Sequence, residues 1–195
     1  MNIGLFFGSF NPIHHAHLII AKYILNQNLV DQIWFVVSPH NPLKETKSLL
    51  NENHRLHLVR LAIEGEYQMK AADIEFFLPR PSYTSVTLNY LSEKYPNHHF
   101  HLIVGGDSFQ NFPKWKNYKY IIDNYDIILY NRPGFPLSDT YGAQLKIVEA
   151  PLLELSASSI RTWISSKKSV RYLLPDSVIE EIEKGGYYRQ HNITS

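Results

Sequence analysis

Residues 3–17 read IGLFFGSFNPIHHAH, and this stretch decides the fold. Ile3 to Phe7 form an unbroken apolar run of strand length, the pattern of a strand buried on both faces. Gly8 follows at once, where a backbone without Cβ allows close approach of a ligand. Asn11 is a good N-cap type and Pro12 suits the first helical position, so a helix is expected over roughly 14–26. A strand that passes through a glycine turn into a helix start is the opening unit of a parallel α/β sheet. It is also a ready anion site, because the amides and the positive dipole end of the helix face the turn.

The same alternation continues outward. Strands are expected over 32–37, 72–77, 100–104, 126–130 and 146–148, with helices over 55–64 and after the Pro81-Ser82-Tyr83-Thr84 segment. From Ser158 the chain reads helical with a break near Pro175. The expected fold is α/β: a Rossmann-like, doubly wound parallel sheet in one domain over 1–195, with a small helical C-terminal appendage at about 158–195. Ligands in such sheets sit at the carboxyl ends of the strands. The segments GSFNP, SPHNP, GGD and NRPG all follow expected strands, and the polar stretch 41–53 reads as a loop.

Composition narrows the function. The 195 residues are 44% hydrophobic and 19% charged, which provides for a sizeable core. A formal net charge of +1 supplies no global field toward nucleic acid or membrane, so neither is an expected partner. An anionic ligand must then be held by local positive groups. With no cysteine, disulfides, thiol nucleophiles and thiolate metal sites are excluded, and a reducing cytoplasm fits. The first residues lack a basic n-region and are interrupted by Gly and Pro, unlike a signal peptide. No apolar run reaches membrane-spanning length, and a cytoplasmic protein is expected.

Two helix starts carry the candidate chemistry. His14 and His17 stand three apart, hence on one helix face, where two imidazoles donate to phosphate oxygens. Capping with surface histidines is the bland alternative. Metal binding by His14, His15 and His17 is a second rival, weakened by the lack of cysteine and of a carboxylate nearby in sequence. The other start is Ser156-Ala157-Ser158-Ser159-Ile160-Arg161, where hydroxyls, amides and a guanidinium again suit phosphate. An ordinary capped helix with a surface Arg is its rival.

The GSFNP lead with its H-x-x-H, paired with the late S-x-x-x-x-R, resembles the nucleotidyltransferase superfamily of α/β-phosphodiesterase type. Within it the chain is similar to bacterial nicotinate-nucleotide adenylyltransferases. The likeness extends over Ser38 to Lys44, Pro81 to Thr84, Gly105 to Phe109, Phe112 to Trp115, Arg132 to Gly134 and Leu173 to Pro175. The resemblance implies ATP and nicotinate mononucleotide as substrates, with His14, His17 and Arg161 as catalytic residues. It implies ATP contacts from Gly8, Ser9, Phe10, Gly105, Asp107, Ser156, Ser158, Ser159 and Ile160. Acceptor contacts fall to Lys44, Thr84, Gly106, Trp115 and Arg132. It also implies Mg²⁺ held mainly by the substrate phosphates, with no protein metal site.

Two positions depart from the family pattern: Ala16 stands where Gly is common and Asn11 where Asp is frequent. Two other readings stay open. Adenylylation of phosphopantetheine shares both end motifs but does not call for P-S-Y-T or F-P-x-W. A nucleotide-binding sensor without turnover would not need His14, His17 and Arg161 intact. His15, His54, His57, His98, His99 and His101 receive no role and read as surface or loop residues.

Overall fold

Ile3 to Phe7 lie in the central strand of a six-stranded sheet. The computed structural model describes residues 1–39, 49–131, 134–135, 137–151 and 153–189. Its strands are β1 (Asn2–Gly8), β2 (Gln32–Val37), β3 (Met69–Ala72), β4 (His99–Gly105), β5 (Asp126–Tyr130) and β6 (Leu145–Val148). They lie in the order β3-β2-β1-β4-β5-β6, and every neighbouring pair is parallel. This is the doubly wound order expected from the alternation. Its direction reverses between β1 and β4, so the ligand crevice of such a sheet lies where Gly8 and Gly105 end those two strands.

Both faces of the sheet are covered, which is why its strands are continuous apolar runs. Period-two alternation divides them between two cores. Phe6, Ile33, Phe35, Val37, Ile103 and Ile128 face the first core, built with α1 (His15–Asn26), α2 (Glu52–Ala62), α6 (Ala157–Ser165) and α7 (Asp176–Gly185). Ile3, Leu5, Trp34, Val36, Leu102, Ile127 and Leu129 face the second, built with α3 (Thr84–Lys94), α4 (Gly106–Phe109) and α5 (Tyr118–Asn124). The C-terminal helices are thus part of the first core: Val178 and Ile182 are buried in it with Leu58 and Val59. The Ser177 hydroxyl donates to the Leu61 carbonyl at 3.2 Å.

Two boundaries differ from expectation. The run 72–77 is not one strand, since β3 ends at Ala72 and a 3-10 turn occupies Ile74–Phe76. Its apolar residues mimic a strand, but Phe77 is 80% exposed and Glu75 is buried, the reverse of what a strand there needs. The Thr87 hydroxyl donates to Glu75 Oε1 at 2.9 Å and holds the turn against α3. The second helix begins three residues earlier than expected because Asn51 caps it, its side chain accepting from the Asn53 amide at 2.9 Å.

The early start places Arg55 inside α2, and its side chain is fully buried. Among the described residues no carboxylate bonds to it. Its guanidinium donates to four backbone carbonyls: Leu50 at 2.7 Å, Ser38 at 2.8 Å, Pro39 at 2.9 Å, and Ser9. These carbonyls lie just beyond β1, just beyond β2, and ahead of α2. Burial lowers the proton affinity of the guanidinium, countered in part by the charge of Glu52, yet arginine stays charged in proteins. Arg55→Leu leaves four carbonyls without this donor, and we expect a stability loss of about 3 kcal/mol or more in urea unfolding.

Candidate active site

Beyond β1 the chain does not enter α1 at Pro12. The Asn11–Pro12 peptide is cis, Phe10 has φ 43, and α1 starts at His15 with an extended His14 (φ −150, ψ 169) as N-cap. The capping expected of Asn11 therefore falls to His14, because the Asn11 side chain is used elsewhere. Its Oδ1 accepts from the Leu50 amide at 3.2 Å and from the Tyr188 hydroxyl at 2.9 Å.

The two histidines come together as their spacing requires, with rings stacked 3.8 Å apart. His14 is buried and His17 partly exposed. The His14 amide donates to His17 Nδ1 at 3.3 Å. An accepting Nδ1 puts the proton of neutral His17 on Nε2, so the ring presents an N–H donor. Phe6 and Phe10 pack edge-on against the His17 ring and fix its plane. The lack of a side chain at Gly8 also makes room for protein: a Cβ there would lie 2.8 Å from the Phe10 ring. Phe10 is core, as is Ile160, whose amide donates to the Ser156 carbonyl at 3.1 Å, so neither side chain is offered to a ligand. Of the α1 amides expected to be open, that of His15 donates to the Leu173 carbonyl at 3.0 Å.

The second helix start meets the first. Ser156 caps α6, its Oγ accepting from the Ser159 amide at 3.1 Å and lying 2.7 Å from Ser159 Oγ. Arg161, one turn on, donates from Nη1 to the Asn11 carbonyl at 2.8 Å and from Nη2 to Ser158 Oγ at 3.3 Å. Residues 150 apart in sequence thus join at one bond. Ser156, Ser158 and Ser159 remain exposed around the guanidinium.

Across the sheet reversal, β4 ends at Gly105 and α4 starts at Gly106. A Cβ on Gly105 would stand 2.7 Å from the Tyr130 hydroxyl and 2.8 Å from Asp107 Oδ1, so glycine lets Asp107 fold back over the strand end. Thr84 opens α3 behind the N-cap Tyr83. The Lys116 ammonium sits 4.3 Å above the Tyr83 ring, which brings the P-S-Y-T and F-P-K-W segments together. Trp115 is partly exposed and rests on Phe112, centroids 4.8 Å apart. Beneath α3, burial raises the Glu75 carboxyl above the usual carboxylate range, against the Ser38, Thr87 and Ser82 hydroxyls beside it.

Lys44 and Arg132 lie outside the described residues. His101 is not a loop residue: it is buried in β4, its Nδ1 3.3 Å from Asp126, toward the amino ends of the strands and away from the site. Among the described residues no three His, Asp or Glu side chains cluster as metal ligands. The groups at the two helix starts are N–H and O–H donors, which match phosphate oxygens.

A cytidylyltransferase-like family model matches residues 5–163, spanning both helix starts. A Flavobacterium johnsoniae protein described as a probable nicotinate-nucleotide adenylyltransferase is 45% identical, with 97% of this chain and all of its own length covered. A Cytophaga hutchinsonii protein of the same description is 46% identical over 98% of this chain and all of its own. The chain belongs to the nicotinate-nucleotide adenylyltransferase family. A Plasmodium falciparum nicotinic acid mononucleotide adenylyltransferase, solved in complex with NaAD, shares the fold at TM-score 0.81, 20% identity, and coverage of 96% of this chain and 97% of that one.

Within this adenylyltransferase-family site, sequence reading missed three side chains. Arg55 was read only as the first residue of an expected helix, and its burial has no local signature. Tyr188 sits in a C-terminal tail with no motif. Lys116 adjoins a noted segment, but only the fold shows that it reaches Tyr83. His17→Ala should lower kcat by about 10²- to 10³-fold. It should also cost about 1 kcal/mol of stability, read by urea unfolding, since the ring is part of the helix start. An unchanged kcat would remove His17 from the chemistry.

Proposed function

We propose that this protein transfers the adenylyl group of ATP to nicotinate mononucleotide, releasing pyrophosphate and deamido-NAD, a step of NAD biosynthesis in the cytoplasm. The observation that carries this reading is the Arg161–Asn11 bond, which joins the two phosphate-type helix starts beside the reversal point of the sheet. No described helix is long and apolar enough to cross a membrane. The helices from 157 on serve the same catalytic unit, because Arg161 comes from them.

In the proposed reaction Arg161, Ser158, Ser159 and the α6 amides grip the β,γ-phosphates, with Ser156 holding the helix start. His17, backed by His14, donates from Nε2 to an oxygen of the α-phosphate as charge develops there. The backbone of Gly8, Ser9 and Phe10 approaches the triphosphate, and that of Ile160 lies at its far end. Gly105 and Asp107 take the adenosine side, Asp107 accepting from ribose hydroxyls. The acceptor's phosphate oxygen attacks the α-phosphorus in line, the new P–O bond forms, and the bond to the β-phosphate oxygen breaks. Positioning and charge stabilisation suffice for such a transfer, so no nucleophilic side chain is required. Mg²⁺ bound to the phosphates supplies charge neutralisation, in keeping with its preference for substrate oxygens.

For the acceptor, Trp115 stacks on the electron-poor pyridine ring. Thr84 and the amides at the start of α3 bind its carboxylate, and Gly106 allows close approach. Lys44 and Arg132 are proposed for the acceptor phosphate.

Incubation with ATP, Mg²⁺ and nicotinate mononucleotide should yield pyrophosphate and a dinucleotide in equal amounts by chromatography. No dinucleotide under conditions where a known enzyme turns over would defeat the proposal. Trp115→Ala should raise the acceptor's KM by about tenfold or more and leave that for ATP within about twofold. Equal rises would make Trp115 a packing residue.

A further inference from the structure

Tyr188 lies 177 residues from Asn11 in sequence, yet its hydroxyl donates to Asn11 Oδ1 at 2.9 Å. The tail reaches that point through two left-handed residues. Gly186 ends α7 at φ 64, where glycine is at home, and Tyr188 adopts φ 63. A bulky aromatic residue takes that conformation uncommonly. Here the ring packs against the first core and the hydroxyl has its bond to Asn11. Burial pushes the Tyr188 hydroxyl well above the usual tyrosine range, so it remains a donor throughout the physiological pH range.

Asn11 is the hinge of this arrangement. Its side chain accepts from Tyr188 and from the Leu50 amide, and its main-chain carbonyl accepts from Arg161. The Ser9 carbonyl two residues earlier is held by Arg55. With its side chain tied on one side, residue 11 has its carbonyl aimed at the Arg161 guanidinium. We propose that Tyr188 is a positioning residue of the ATP site, its hydroxyl fixing Asn11 so that the Asn11 carbonyl orients Arg161 toward the β,γ-phosphates. The assignment rests on the reading of Arg161 as an ATP ligand given above. Tyr188 touches no reacting atom and acts through two residues in series.

The test is MgATP binding by calorimetry, together with steady-state kinetics, on the full chain carrying Tyr188→Phe. This variant keeps the ring and removes the hydroxyl. Thermal unfolding checks that the fold is retained. The Kd for MgATP and the KM for ATP should rise about three- to tenfold, the scale of one hydrogen bond, while the acceptor's KM stays unchanged. In an Arg161→Ala background the same change should alter the Kd by less than about twofold, because the hydroxyl acts through Arg161. Tyr187→Phe is the control: it loses the bond between its hydroxyl and His54 Nδ1 and should leave MgATP binding as it was. Unchanged MgATP affinity in Tyr188→Phe overturns the proposal. So do equal losses with and without Arg161, or equal rises in both KM values. Binding is read apart from turnover. A wild type that binds MgATP but makes no dinucleotide therefore defeats the reaction above and leaves the role of Tyr188 open to the same measurement.

Discussion

One buried guanidinium holds the strand ends of this protein in place. Among the described residues Arg55 bonds to no carboxylate and is shielded from water, so carbonyl dipoles from Ser9, Ser38, Pro39 and Leu50 carry most of the balance of its charge, with Glu52 acting from farther off. Such a group tolerates no slack, because each bond lost leaves both a charge and an acceptor short of a partner. The turns after β1 and β2 are therefore fixed relative to α2. The first of these turns carries Ser9 to Asn11, from which His14, His17 and the Arg161 contact are set out. The second carries Ser38, which lies beside Glu75 under the start of α3. One side chain thus sets the spacing between the paired starts of α1 and α6 and the region that faces Trp115 and Thr84.

The two halves of the site rest on different cores. His17 and Arg161 come from α1 and α6 over the first, whereas Thr84 and Trp115 come from segments packed on the second. The sheet separates these cores, and its strands reverse order between β1 and β4. The position between them is the one place where groups from both faces reach the same crevice. A transfer between two substrates needs such a place, since donor and acceptor must approach one atom from opposite sides.

The fold was legible in the sequence because parallel strands buried on both faces leave unbroken apolar runs. Residues 3–7, 32–37 and 126–130 all became strands nearly as read. The region 72–77 was misread for the same reason: its apolar residues belong to different cores, and a buried Glu75 between them was invisible to periodicity. His14, His17, Ser156 and Arg161 were legible because each lies within a turn of a helix start, where local chemistry follows local sequence. Their binding partners were not. Asn11 looked like a cap and became a bridge between Tyr188, Leu50 and Arg161, through contacts that span most of the chain. Bonds between residues so far apart follow from the closed fold and have no local pattern to betray them.

The joining of Asn11 to Arg161 carries a thermodynamic consequence as well. Any polyphosphate that grips both helix starts acts as a reversible cross-link between the first and last fifths of the chain. Binding energy spent there is also folding energy, and a ligand at a hundred times its dissociation constant adds about 2.7 kcal/mol to the native state. Docking of α6 and α7 against the sheet and occupancy of the crevice are then one linked equilibrium. On the proposed reading, a bound nucleotide would be part of what holds the C-terminal helices in place.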